Sequence, residues 1–168
     1  METTTQSGNA AAASVGKAAR QRQDALKWSL PGFGPMTRIS TSFGEMHAQT
    51  LRERDVIRSG TGKLVPIQWV DRMLLDMDFL SVVTDAHAIL IRAGSLGNGL
   101  PKADVVVSPC QKIATGRNPV DSQYIEAGKL VGRPGVLRKP EDMMTYTLFH
   151  CGEPVSVRME GIWALVEP

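Results

Sequence analysis

Aromatic residues make up only 5% of this 168-residue chain. So few rings leave little to build a base-stacking surface for single-stranded nucleic acid. An excess of one charge is also lacking. The net charge is +2, and it is accounted for by residues 1–28, where Lys17, Arg20, Arg22 and Lys27 face only Glu2 and Asp24. The rest is neutral, which argues against a nucleic-acid partner, because affinity for phosphates comes from clustered Lys and Arg. Cysteine is scarce: Cys110 and Cys151 are the only two. They form no Cys-x-x-Cys pair, so no structural zinc is expected, and a single disulfide between them stays open. No apolar run reaches the roughly 18 residues that a membrane span needs. The opening "METTTQSGNAAAA" has no basic stretch before an apolar core, so it does not read as a secretory signal. These absences predict a cytoplasmic protein with reduced thiols, no membrane span, no metal and no cofactor.

What is present is ordinary for a globular body: 42% hydrophobic and 21% charged residues, enough for one domain with a sizeable core. Residues 1–14 are small and polar and predict a disordered tail. Residues 15–31 predict a basic arm. Good helix formers run through "VGKAARQRQDALK", though such a helix is marginal alone, and Pro31-Gly32 ends it. Trp28 and Leu30 are large enough to anchor it. Residues 32–168 then change to short strands with regular turn signals, the pattern of an all-β fold. "DVIRS" and "KLVPIQWV" flank Gly60-Thr61-Gly62 as a hairpin. Alternation places Val65, Ile67 and Trp69 on one buried face, and Pro66 at an edge or bulge. "TRISTSF", "AILIRAG", "DVVVSP", "QKIAT", "MTYTLFHC", "PVSVRM" and "IWALVE" read as further strands. "YIEAGKLVG" reads as holding one helical turn.

The polar residues offer several chemistries. His150-Cys151 pairs a base with a thiol in sequence, but neighbours on a strand point to opposite faces. Cys110 could meet His87 or His150 across the fold, though a partly buried structural thiol is the commoner case. "GSLGNGLP" opens no helix and reads as a turn rather than a phosphate loop. Asp76, Asp78 and Asp85 lack the spacing of a calcium loop and read as solvated. Ser108 lacks the Gly-x-Ser-x-Gly frame of a nucleophile elbow.

Taken together, "FGPMTRISTSFGE", "LRERDVIRSGTGKLVPIQWVDR", "ILIRAGSLGNGLPKADVVVSPCQK", "GRPGV" and "MTYTLFHCGEPVSVRMEGIWALVE" resemble the bacterial Hint domains, the hedgehog/intein fold. The resemblance implies a flattened all-β horseshoe over residues 32–168. In active members a Cys or Ser at the first position attacks the preceding carbonyl, and a His after the Ser-Pro segment supplies a proton to the departing amide nitrogen. Here the first position falls on Gly32 and the His position on Gln111. Glutamine donates a hydrogen bond but relays no proton near neutral pH. In the closing block, Leu148 and Pro154 stand where histidines are common in the family. Cys110 lies one residue short of the catalytic position, and strand alternation would turn it away. Lys112, two residues on, would share its face and could lower its pKa.

The resemblance therefore implies a catalytically degenerate Hint fold, a pseudoenzyme serving as a binding or assembly module for a protein partner. Arg20, Arg22, Trp28 and Leu30 in the arm would bind that partner or dock on the domain itself. The alternative is a self-processing domain with a displaced nucleophile: Cys110, Cys151 or Ser29, with His150 or His87 as base. A third reading is a cysteine hydrolase using Cys110.

Overall fold

The computed structural model describes residues 27–168. The predicted tail over 1–14, and the arm as far as residue 26 with Arg20 and Arg22, lie outside the described residues. Among the described residues, thirteen strands follow one another with one short α-helix among them. They are β1 (Arg38–Thr41), β2 (Gly44–His47), β3 (Val56–Arg58), β4 (Leu64–Pro66), β5 (Trp69–Leu75), α1 (Met77–Val82), β6 (Ala88–Ile91), β7 (Val105–Val107), β8 (Lys112–Ala114), β9 (Tyr124–Glu126), β10 (Val136–Lys139), β11 (Met144–His150), β12 (Val155–Met159) and β13 (Ile162–Val166). Single turns of 3-10 helix interrupt them, among them Ala127–Leu130, in the stretch read as holding a helical turn.

The fold is all-β. The largest sheet runs in the order β4-β3-β1-β12-β13-β8-β9, with β2 also paired to β1. A three-stranded sheet orders β10-β6-β7, and β5 pairs with β11 along their full lengths. Every strand pair is antiparallel. Phe33 stitches the two smaller sheets together, bridging Val107 on one side and Thr147 on the other.

The hairpin about Gly60–Gly62 forms as the turn chemistry predicts, with Ile57 opposite Val65. Pro66, which has no N–H to give, lies on the sheet's outermost strand. The predicted buried face holds only in part. Val65 and Ile67 are buried, but Trp69 is 40% exposed. The backbone explains this. Gln68 N–H donates to His150 O at 2.9 Å, so the chain leaves β3 and crosses to β11, and the alternation restarts in a new sheet. Trp69 then stacks on His150 with centroids 5.5 Å apart. The strand β5 is followed by α1, which sequence patterning does not announce. Asp76 is its N-cap, accepting from Phe79 N–H at 2.9 Å. It is a structural cap rather than a merely solvated carboxylate.

Two hydrophobic clusters result. The main one gathers aliphatic residues of the large sheet and of β6 and β7, including Ile39, Ile57, Ile89, Val107 and Val157, all fully buried. The second collects Trp28, Leu75, Leu80, Val83, Met144 and Tyr146 beneath α1. Among the described residues, no helix is long and apolar enough to cross a membrane.

Candidate functional site

A cleft of about 400 Å³ lies where the chain enters the domain. Ser29–Gly32 forms one wall, and the end of β11 and the last residues after β13 form others. Gly32, Cys110, Gln111, Trp69 and His150 all line it. The topology thus brings together Gly32 and Gln111, which are 79 positions apart in sequence.

The backbone at Gly32 is held on both sides. Its carbonyl accepts from Ser108 N–H at 2.9 Å. The next residue, Phe33, exchanges both backbone hydrogen bonds with Thr147, at 2.9 and 2.8 Å. A Cβ placed on Gly32 would come within 3.0 Å of Tyr146 Cβ. That is tighter than ordinary side-chain contact, so a Cβ here would need Tyr146 to give by a few tenths of an ångström.

Gln111 is 1% exposed. Its side-chain amide donates to Leu165 O at 2.9 Å and to Lys112 O at 3.3 Å. Both donors are committed to backbone carbonyls, so the amide ties β8 to β13 at the floor of the cleft.

Ser108 is the hub between them. Its hydroxyl donates to Leu30 O at 2.6 Å and accepts from Trp28 Nε1 at 2.9 Å and from Cys110 N–H at 3.3 Å. One donor and two acceptors exhaust what a hydroxyl offers. Sequence spacing gives no sign of this role, because two of the partners lie 80 and 78 positions away. Trp28 is buried by the same arrangement, at 8% exposure, packing against Tyr146 and Phe79 with ring centroids 5.7 and 6.1 Å away. Leu30 stays 37% exposed. Of the two predicted anchors within the described residues, Trp28 therefore docks on its own domain.

Cys110 does not lie on a strand. It sits in the turn between β7 and β8, so strand alternation does not set its direction. Its thiol faces Trp28 O, with Sγ 3.5 Å from the oxygen. Burial and then the Glu126 carboxylate push its pKa up. Lys112, which could have lowered it, is not among the charges acting on it, and its Nζ is paired with Glu167 at 2.7 Å. Cys151 is buried in the main core, where burial, with a smaller push from Glu153, raises its pKa to about 11. Both thiols are free. They pack against different clusters, which removes the disulfide left open by the sequence.

His150 lines the cleft with its Nδ1 occupied, and His87 is engaged elsewhere. His150 Nδ1 accepts from Gly152 N–H at 3.1 Å, and His87 Nδ1 accepts from Glu141 N–H at 3.4 Å. His150 is part-exposed beside the buried Cys151, as alternation predicts. Leu148 is buried in the second cluster and Pro154 is exposed. Among the described residues, no cluster of His, Cys, Asp or Glu could hold a metal ion.

Comparison with known proteins agrees with this architecture. The family model described as Hint domain matches residues 31–165. A variant of the Ssp DnaB mini-intein is similar in structure, with a TM-score of 0.50, 8% identity, and coverage of 84% of this chain and 97% of that one. A DnaB intein from Synechocystis sp. PCC 6803 gives a TM-score of 0.49 at 8% identity, covering 83% of this chain and 100% of that one. At such identities the likeness is one of fold. No curated protein sequence matches the chain.

Proposed function

The chain belongs to the Hint domain family, and we propose that it is a member that does not rearrange its own backbone and serves instead as a protein-binding or assembly module. In this reading residues 32–168 are the domain, residues 15–31 are an arm joined to it, and residues 1–14 are a tail. Two free thiols fit a cytoplasmic setting.

The observation that carries the reading is the junction itself. Backbone rearrangement needs a nucleophile next to the scissile carbonyl and a proton donor for the departing nitrogen. Gly32 offers no nucleophile, and both N–H bonds of the Gln111 amide are spent on backbone carbonyls. The segment before the junction is also fastened by Ser108 and by the burial of Trp28.

One observation favours the alternative of a displaced nucleophile: the Cys110 thiol is turned toward a carbonyl of the incoming segment, that of Trp28. Its raised pKa works against it, since the thiolate is the attacking species. Intact mass separates the two. The full-length protein is incubated with dithiothreitol or hydroxylamine, and the expected outcome is a single unchanged species. A fragment ending near Pro31 would overturn the inert reading, and one ending at Trp28 and abolished by Cys110→Ser would establish the displaced nucleophile.

A further inference from the structure

A second concavity lies away from the cleft, at the start of β13. Its volume is about 400 Å³. The residues that matter in it are Arg117, Arg158, Trp163, Leu100, Pro119 and Ile162. Ile162 sits here, while Leu165 and Val166 reach the cleft. Three to four residues of extended chain separate the two sites by roughly 10–13 Å.

We infer that this groove binds an acidic peptide segment of a protein partner, with a carboxylate held by Arg117 and Arg158 and a neighbouring apolar side chain against Leu100, Pro119 and Ile162. Three observations lead there. The first is charge without a counter-ion. Arg38, Lys63, Lys112, Lys129 and Lys139 each reach a carboxylate of the chain and, among the described residues, other cations such as Arg52 and Arg133 do not, but in this groove two arginines without a carboxylate line one concavity together. Among the described residues, Arg117 and Arg158 reach none, and no Asp or Glu lines the groove.

The second is preorganisation. Arg158 and Trp163 are directly opposed partners across β12 and β13. The guanidinium lies over the indole ring, 5.9 Å from its centroid. A ring face holds a guanidinium in place and covers one side of it, while its N–H edge stays free for a planar oxyanion. An arginine fork suits a carboxylate better than a lysine does, because it can bind both oxygens at once.

The third is the floor. Gly161 turns β12 into β13 with φ of 87°, and a Cβ there would come within 2.7 Å of Leu100 Cδ2. The turn and the Leu100 loop are packed directly on each other, so the arginines stand over a fixed apolar base. That mixture of cation and apolar wall favours a peptide over a free ion. The inference stands whether or not the cleft is inert, since no residue lines both sites.

The test uses the full-length chain and a fluorescein-labelled peptide of alternating Glu and Leu, followed by fluorescence anisotropy. Wild type is expected to bind, more weakly as salt is raised. Arg117→Ala with Arg158→Ala is expected to weaken binding at least about tenfold. Arg52→Ala with Arg133→Ala removes the same charge from exposed positions elsewhere and is expected to change it less than about twofold. Arg117→Glu alone, on an exposed loop, gives a second variant that leaves the Arg158–Trp163 pair untouched and is expected to weaken binding by a similar factor. Absence of wild-type binding would overturn the proposal, as would equal loss in the Arg52 and Arg133 control. Displacement by inorganic phosphate as readily as by unlabelled peptide would assign the groove to small oxyanions instead.

Discussion

The two hydrophobic clusters follow different rules. The main core is largely aliphatic, with the stacked pair Phe33 and Phe149, and spread over many strands: Ile39, Ile57, Ile89, Val107, Val157 and Ala164 come from six of them, each fully buried. Losing one leaves the others in place. The second core is centred on Trp28, which belongs to no strand and arrives from before the junction. Hydrogen bonds at its polar edges hold it: Trp28 Nε1 to Ser108, and Tyr146 OH to Ala86 O at 2.7 Å. Its stability therefore hangs on a few residues, and one of these lies in the segment that an active family member would release. The difference teaches that the incoming segment is here a structural part of the domain. Each cluster also contacts one cysteine, Cys151 in the main core and Cys110 beside the second, so the thiols report on the two separately.

The largest effect is expected from Trp28→Ala, at about 3–5 kcal/mol for deletion of a buried aromatic side chain. It is read by urea denaturation. In the same variant a neutral thiol reagent should label Cys110 faster while Cys151 stays protected. Equal acceleration at both thiols would show that the two cores melt as one.

Gly32→Cys with Gln111→His introduces the residues that the resemblance assigns to these positions in active members. The new Cβ would crowd Tyr146, so we expect a loss of about 1–3 kcal/mol, the usual cost of overpacking. The loss should fall on the second core, again seen through Cys110. Retained stability together with a new fragment by mass would show that the junction adapts.

Ser108→Ala leaves the Trp28 indole N–H and the Leu30 carbonyl without their partner. About 1–3 kcal/mol follows from such unmet polar groups. A Trp28→Phe background should make Ser108→Ala less costly, because part of the coupling is already gone.

The smallest effect concerns pH and the main core. Cys151 has a pKa of about 11 when folded and 9.0 as the ordinary value. A raised pKa means that folding favours the neutral thiol. This contribution is complete below about pH 9 and is lost as pH climbs through 11. Cys151→Ala should flatten that part of the stability curve. An unchanged slope would place the alkaline sensitivity elsewhere, with Cys110 the next thiol to test.

Much of the first core was legible in the sequence. Strands such as "AILI" and "VSVRM" alternate or run apolar over short spans, and Gly60–Gly62 and Glu160-Gly161 mark their turns. Gly32, Cys110 and Gln111, singled out in the sequence, all line the cleft. Trp69 was misplaced because the chain changes sheets at Gln68, and a strict period carries no information about which sheet a strand joins. The arm was read as a helix with anchors, yet nothing local distinguishes an anchor for a partner from one for the domain.

By itself, then, the sequence determined the all-β class, the hairpin and its edge proline, and the family resemblance. These depend on side-chain type and near-neighbour order, which a linear chain carries directly. Only the tertiary structure decided that Trp28 is core, that Ser108 fastens it, that Gln111 is locked to Leu165, and that the two thiols never meet. Each of these is a contact between residues distant in the chain, fixed by how sheets pack and by which buried polar groups must find partners.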